Sequence, residues 1–314
     1  MNRIVENTVL LAGALVVAEA GAGTYFFRRT MMRTKAKKER TIKMAGTDWN
    51  QYAELLKERK KRMLKKPHKD IWQKSGDGLK LHATYFPGEK GKKLVICFHG
   101  YTSQGMSDFI GLSDYYLKRG YRMLLVDERA HGESEGRYIG FGNGDRGDAL
   151  VWMKWAIEKC GENVEILLHG ISMGGATVLM ASGLSLPPQI KGIISDCGFT
   201  SPRDVFTHVL HSMYHLPAFP LIQIAEFLSK KISGFGLDEC NAAREVRKAK
   251  VPILLIHGEK DTFVPCRMCY EIYENVASQK KKLIIAGAAH AESYYKDMAA
   301  YEQALNDFIG GIIK

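Results

Sequence analysis

Six apolar runs constrain this chain more than any other feature: "KLVICFHG" from Lys93, "YRMLLVDERA" from Tyr121, "VEILLHG" from Val164, "IKGIISDCGF" from Ile190, "VPILLIHG" from Val251 and "KKLIIAGAA" from Lys281. Each is short, rich in β-branched and aliphatic residues, and continuous rather than alternating. Most are separated by segments long enough for a helix. A strand that is apolar on both faces has to be covered on both faces, so the pattern predicts an α/β fold: a mostly parallel sheet with helices on each side. Upstream, "IWQKSGDGLKLHATYF" places "SGDG" between two alternating runs and predicts a hairpin. The intervening helices are expected at about 107–119, 143–160, 174–185, 265–278 and 292–313.

One interval is too long for a simple crossover. Between Phe199 and Val251 lie about fifty residues, among them "SPRDVFTHVLHSMYHLPAFPLIQIAEFLSKKISGFG", apolar and aromatic but broken by Pro217 and Pro220. An insertion there, above the carboxyl ends of the strands, predicts a helical cap over about 200–247.

The run "VEILLHG" leads into Gly170-Ile171-Ser172-Met173-Gly174-Gly175 and then "ATVLMASGL". This is a G-x-S-x-G sequence placed where a strand becomes a helix, the setting of a serine nucleophile on a tight turn. A serine hydroxyl needs a base, and the base an orienting carboxylate. Both stand behind later strands in the required order: Asp261 in "GEKDTFVP" and His290 in "AAHAES". An oxyanion would need two backbone donors, for which the candidates are the N–H of Met173 and that of Tyr101 in "FHGYT". Asp196, after the sixth strand counted from the hairpin, is a rival for the acid. His99 and His131 are read as loop architecture.

The motifs "FHGYT", "DERAHGES", "GISMGG", "GEKDTFVP" and "AAHAES" stand in the order found in the α/β-hydrolase superfamily, which the chain resembles over residues 70–314. Within it the sequence is similar to bacterial serine hydrolases of carboxylesterase or acyl-aminopeptidase type, including membrane-anchored members. The resemblance implies an eight-stranded, mostly parallel sheet and hydrolysis of a small-molecule ester or amide through an acyl-enzyme. An ester with a hydrophobic or aromatic moiety is the expected substrate. A peptidase or an acyltransferase on the same triad, and a catalytically silent fold used for binding, are the alternatives. The chemistry asks for no cofactor. No metal site is expected either: Cys266 and Cys269 have C-x-x-C spacing without a second pair, and His208, His211 and His215 lie on one helix without an accompanying carboxylate or cysteine.

The remaining sequence is N-terminal. Residues 28–69 carry 16 Lys/Arg against 4 Asp/Glu and account for the net charge of +11, whereas residues 70–314 are balanced. Charge confined to a flanking segment argues against a nucleic-acid-binding face. The tract follows "VLLAGALVVAEAGAGTYFF", residues 9–27, which approaches the roughly 20 residues of a bilayer-spanning helix. The expectation is a membrane anchor within 1–27 and a basic linker and helix over 28–69. The excess of positive charge after the anchor would put the catalytic domain in the cytoplasm, with secretion as the alternative.

Overall fold

The computed structural model describes residues 20–33, 47–88 and 91–313. Eight strands form one sheet: β1 (Lys69–Lys74), β2 (Lys80–Phe86), β3 (Lys93–Phe98), β4 (Arg122–Asp127), β5 (Glu165–Ile171), β6 (Ile190–Asp196), β7 (Ile253–Gly258) and β8 (Lys280–Ile285). Their order across the sheet is β1-β2-β4-β3-β5-β6-β7-β8. β2 pairs antiparallel with both β1 and β4, and every other neighbouring pair is parallel.

Alternation of side chains along the central strands divides the core in two. On β3, Leu94, Ile96 and Phe98 face one layer, which also holds Trp152 and Met153 of a helix at Asp145–Cys160, Val178 of one at Met173–Ala181, and Met268 of one at Arg267–Asn275. Val95 and Cys97 face the other, against Phe109 and Tyr115 of a helix at Gly105–Lys118 and Leu305 and Phe308 of one at Met298–Ile309. These side chains are almost fully buried, which is why the strands read as unbroken apolar runs. In chain order the helices are α1 (residues 20–31), α2 (Ala53–Leu64), α3 (Gly105–Lys118), α4 (Asp145–Cys160), α5 (Met173–Ala181), α6 (Pro202–Met213), α7 (Leu221–Leu228), α8 (Ala242–Glu245), α9 (Arg267–Asn275), α10 (Ser293–Lys296) and α11 (Met298–Ile309). The interval between β6 and β7 holds α6, α7, a π turn at Ser229–Ser233, and α8.

One expectation is revised, and a second reaches beyond the described residues. The terminal helix expected over 292–313 is broken at Asp297, whose backbone leaves the helical region and whose side chain accepts from Ala300 N to start α11. The second concerns the apolar stretch 9–27. Residues 9–19 lie outside the described residues, but α1 includes 20–27 and packs on the domain: Phe27 and Met31 are buried in the core. Ala22 and Phe26 lie against Leu210, Leu221 and Ile222 of α6 and α7. This part of the expected anchor packs against the domain. No helix among the described residues is long and apolar enough to do so.

The chain just after α1 is stitched down as well. Ile139 N donates to Met31 O (2.7 Å) and Arg33 N to Arg137 O (2.9 Å). The Arg33 guanidinium donates to the carbonyls of Gly132 and Ser134. α2 is held by Met63, buried in the core, and by a charged residue: Arg59 is buried and donates to Gly111 O and to Tyr294 Oη (2.8 Å).

Candidate active site

β4 and β5 lie on opposite sides of β3, so the connections diverge there and leave a crevice at the carboxyl ends of β3 and β5. Ser172 sits at that point, between the end of β5 and the first residue of α5, with φ 55° and ψ −112°. A non-glycine residue with positive φ is strained and is retained only where the surroundings over-determine it. The surroundings here are backbone. A Cβ on Gly170 would strike the Gly174 carbonyl, and one on Gly174 would strike the Phe98 carbonyl at the end of β3. The turn is wedged against the strand beside it, and only glycine fits at either position.

The structure brings Ser172, His290 and Asp261 into one hydrogen-bonded chain. His290 Nε2 is 2.8 Å from Ser172 Oγ and His290 Nδ1 is 2.6 Å from Asp261 Oδ2. Asp261 Oδ1 accepts from Phe263 N (2.9 Å) and Val264 N (2.8 Å). Burial acts to raise the Asp261 pKa, but the attraction of His290 and the hydrogen bonds from His257 and His290 outweigh it and hold the carboxyl well below the usual range. An ionised carboxylate only accepts, so His290 carries its proton on Nδ1 and Nε2 is left to accept from the serine hydroxyl. Burial pulls the His290 pKa down, yet the charge and hydrogen bond of Asp261 leave it raised above the ordinary imidazole value.

Asp196 does not meet His290. Its Oδ2 accepts from Tyr301 Oη (3.1 Å), its Oδ1 has no hydrogen-bond partner among the described residues, and burial pushes its pKa up to about 6. His208 and His211 are held apart by separate contacts, with Thr262 O and Ala218 N respectively.

Met173 opens α5, where a helix leaves its first N–H groups without intrahelical acceptors. Tyr101 lies in the loop after β3, which two imidazoles position. His99 accepts from Glu128 N (3.0 Å) on Nε2 and donates from Nδ1 to Gly100 O (2.7 Å), while His131 Nε2 accepts from Thr102 N (3.1 Å). Asp108 adds a third tie by accepting from Gly100 N (2.6 Å). A cavity of about 910 Å³, including the solvent at its mouth, opens from Ser172 and Tyr101 toward α6 and α7.

A family model described as alpha/beta hydrolase fold matches residues 93–236. An esterase from Pyrococcus furiosus superposes with a TM-score of 0.67 at 22% identity, covering 81% of this chain and 94% of its own. The chain has the α/β-hydrolase fold. Among curated proteins, YqkD of Bacillus subtilis, itself uncharacterized, is 26% identical over 304 residues, 97% of each chain. The lysophosphatidylserine lipase ABHD12 of Danio rerio is 26% identical over 194 residues, which cover 60% of this chain and 48% of that protein.

In this hydrolase fold several residues that the sequence did not single out shape the site. Glu292 is buried two residues after His290, accepts from Ala289 N (2.8 Å) and is gripped by Tyr52 Oη (2.7 Å), while Thr47 donates to His290 O (3.1 Å). The segment before α2 therefore braces the histidine loop. The ring of Phe263 lies 5.0 Å from that of His290. From the other side α1 contributes Phe26, Arg29 and Thr30 to the cavity wall. The acidic residue in "AAHAES" was a readable signal for the first of these. For α1 the sequence carried only an apolar stretch, which fits several environments equally well.

Proposed function

We propose that the protein is a serine hydrolase that cleaves carboxylic esters through an acyl-enzyme. Ser172 attacks the carbonyl carbon and His290 takes the hydroxyl proton on Nε2. The same nitrogen returns that proton to the departing alcohol, and water then repeats the sequence on the acyl group. Asp261 holds the Nδ1–H tautomer and stabilises the imidazolium that forms. The N–H groups of Tyr101 and Met173 are assigned to the tetrahedral oxyanion. The observation that carries this reading is the chain Ser172 Oγ, His290, Asp261 at 2.8 and 2.6 Å, with the serine on a strained turn at the mouth of an apolar cavity.

For the chain as a whole the proposal is an α/β-hydrolase domain over 70–314 whose segment 200–247 caps the site. The esterase named above supports the choice of ester by its fold alone. The test is labelling by a fluorophosphonate together with turnover of nitrophenyl esters. Wild type should lose both when Ser172→Ala is introduced; undiminished labelling of the variant would end the assignment, absence of labelling and turnover in the wild type would favour a binding role, and labelling without ester turnover would favour the peptidase or acyltransferase alternative.

A further inference from the structure

α1 forms one wall of the cavity that opens from Ser172, through Phe26, Arg29 and Thr30. Its C-terminal end is at the reacting centre, where Tyr101 Oη donates to Thr30 O (3.0 Å) and Arg29 O (3.3 Å). Its other end is at the cap. There the ring of Phe26 meets that of Tyr214 edge-on at 5.2 Å, and Gly23 packs so closely on Ile224 that a Cβ would not fit. From Thr30 back to Phe26, the part of α1 that lines the cavity, the helix covers about 6 Å at a rise of roughly 1.5 Å per residue.

The wall changes character along this length. Ser172, Tyr101, Arg29 and Thr30 supply polar groups at one end, and beyond them it is built from aliphatic and aromatic side chains of α1, α6 and α7, such as Phe26, Val209, Leu221 and Ala225. A polar head with a long dry extension suits an ester carbonyl followed by a hydrocarbon tail. A compact acyl group would leave the far end without contacts, and a polar one would lose its hydration there without replacement.

From this we infer that the acyl chain of the substrate lies along α1, and that the N-terminal helix is a specificity element selecting esters of a single linear fatty acid of medium length. The inference rests on the serine-hydrolase reading. Each methylene drawn into such a wall favours binding about fourfold, so the preference should build steadily with chain length. A linear chain that runs from Ser172 past Thr30 and Phe26 to Ala225 needs several methylenes beyond the carbonyl, which an acetyl group lacks. The same contacts make α1 part of the site: the helix that lines the tail also touches, through Tyr101, the loop assigned to the oxyanion.

The test is a chain-length series of nitrophenyl esters, from acetate through butyrate and octanoate to dodecanoate, below their aggregation limits and on the full chain. Wild-type kcat/KM should rise with chain length, with decanoate at least tenfold above acetate. Ala225→Trp, which places a ring in the cavity, should cut the decanoate-to-acetate ratio at least tenfold. Phe26→Ala should lower that ratio from the α1 side. Tyr25→Ala, on the exposed face of α1 at 60% exposure, should leave the ratio alone. Thermal melts of all three establish that they fold, and if Phe26→Ala does not, Phe26→Leu replaces it. A flat wild-type profile, or equal effects of the Phe26 and Ala225 variants on acetate and decanoate, overturns the inference and leaves the hydrolase reading standing. Absence of labelling at Ser172 with every ester inert defeats the reading beneath it.

Discussion

Replacing Asp261 by Asn removes a charge without changing the volume of the side chain, and the geometry around the carboxylate dictates the consequence. Oδ1 accepts from two backbone amides, at 2.9 and 2.8 Å, and only an oxygen can take that place. The amide nitrogen of the substituted side chain is therefore turned toward His290 Nδ1, where the carboxylate stood at 2.6 Å. Two donors cannot share that contact, so the imidazole shifts its proton to Nε2. The nitrogen 2.8 Å from Ser172 Oγ then donates instead of accepting, and the serine has no base. In a Ser-His-Asp site the wrong tautomer lowers kcat by about 10⁴. At about 1.36 kcal/mol per tenfold this is between 5 and 6 kcal/mol of transition-state stabilisation, on the order of a whole domain's stability. The assay is steady-state hydrolysis of a nitrophenyl ester at neutral pH, with Asp196→Asn measured beside it. Asp196 touches Tyr301 rather than His290, so its variant should stay within about tenfold of wild type. A loss of less than tenfold for Asp261→Asn, or a larger loss for Asp196→Asn, would refute the reasoning.

Two further outcomes rest on the same geometry. His290 must be neutral to accept the serine proton, and its pKa is raised above the ordinary imidazole value, so kcat/KM should climb as pH rises through a midpoint above about 6.5; a midpoint below that value would contradict the charge coupling to Asp261. Gly174→Ala would drive a Cβ into the Phe98 carbonyl, and overpacking of this kind costs about 3 kcal/mol, so a thermal melt should show a Tm several degrees lower even though no catalytic side chain has been touched.

The sequence by itself determined the sheet, because a strand buried on both faces must be apolar at every position and helices of ordinary length must separate parallel neighbours. It also named Ser172, Asp261 and His290, since each stands at the end of a strand and a local pattern marks each strand end. What it lacked was everything that depends on which distant segments meet. An apolar stretch such as 20–27 is equally at home in a bilayer and against a protein surface, and only the tertiary structure placed Phe26 on α6 and α7 and Thr30 on Tyr101. Arg59 read as one charge among many on a basic helix until its guanidinium was seen buried on Gly111 and Tyr294. The partner of His290 was likewise open between two aspartates, and a distance of 2.6 Å separates them where type and order could not. Periodicity reports the environment of a segment averaged over its own few turns. The identity of the neighbour that supplies this environment, and therefore the shape of the cavity, is a long-range property that emerges only when the chain is folded.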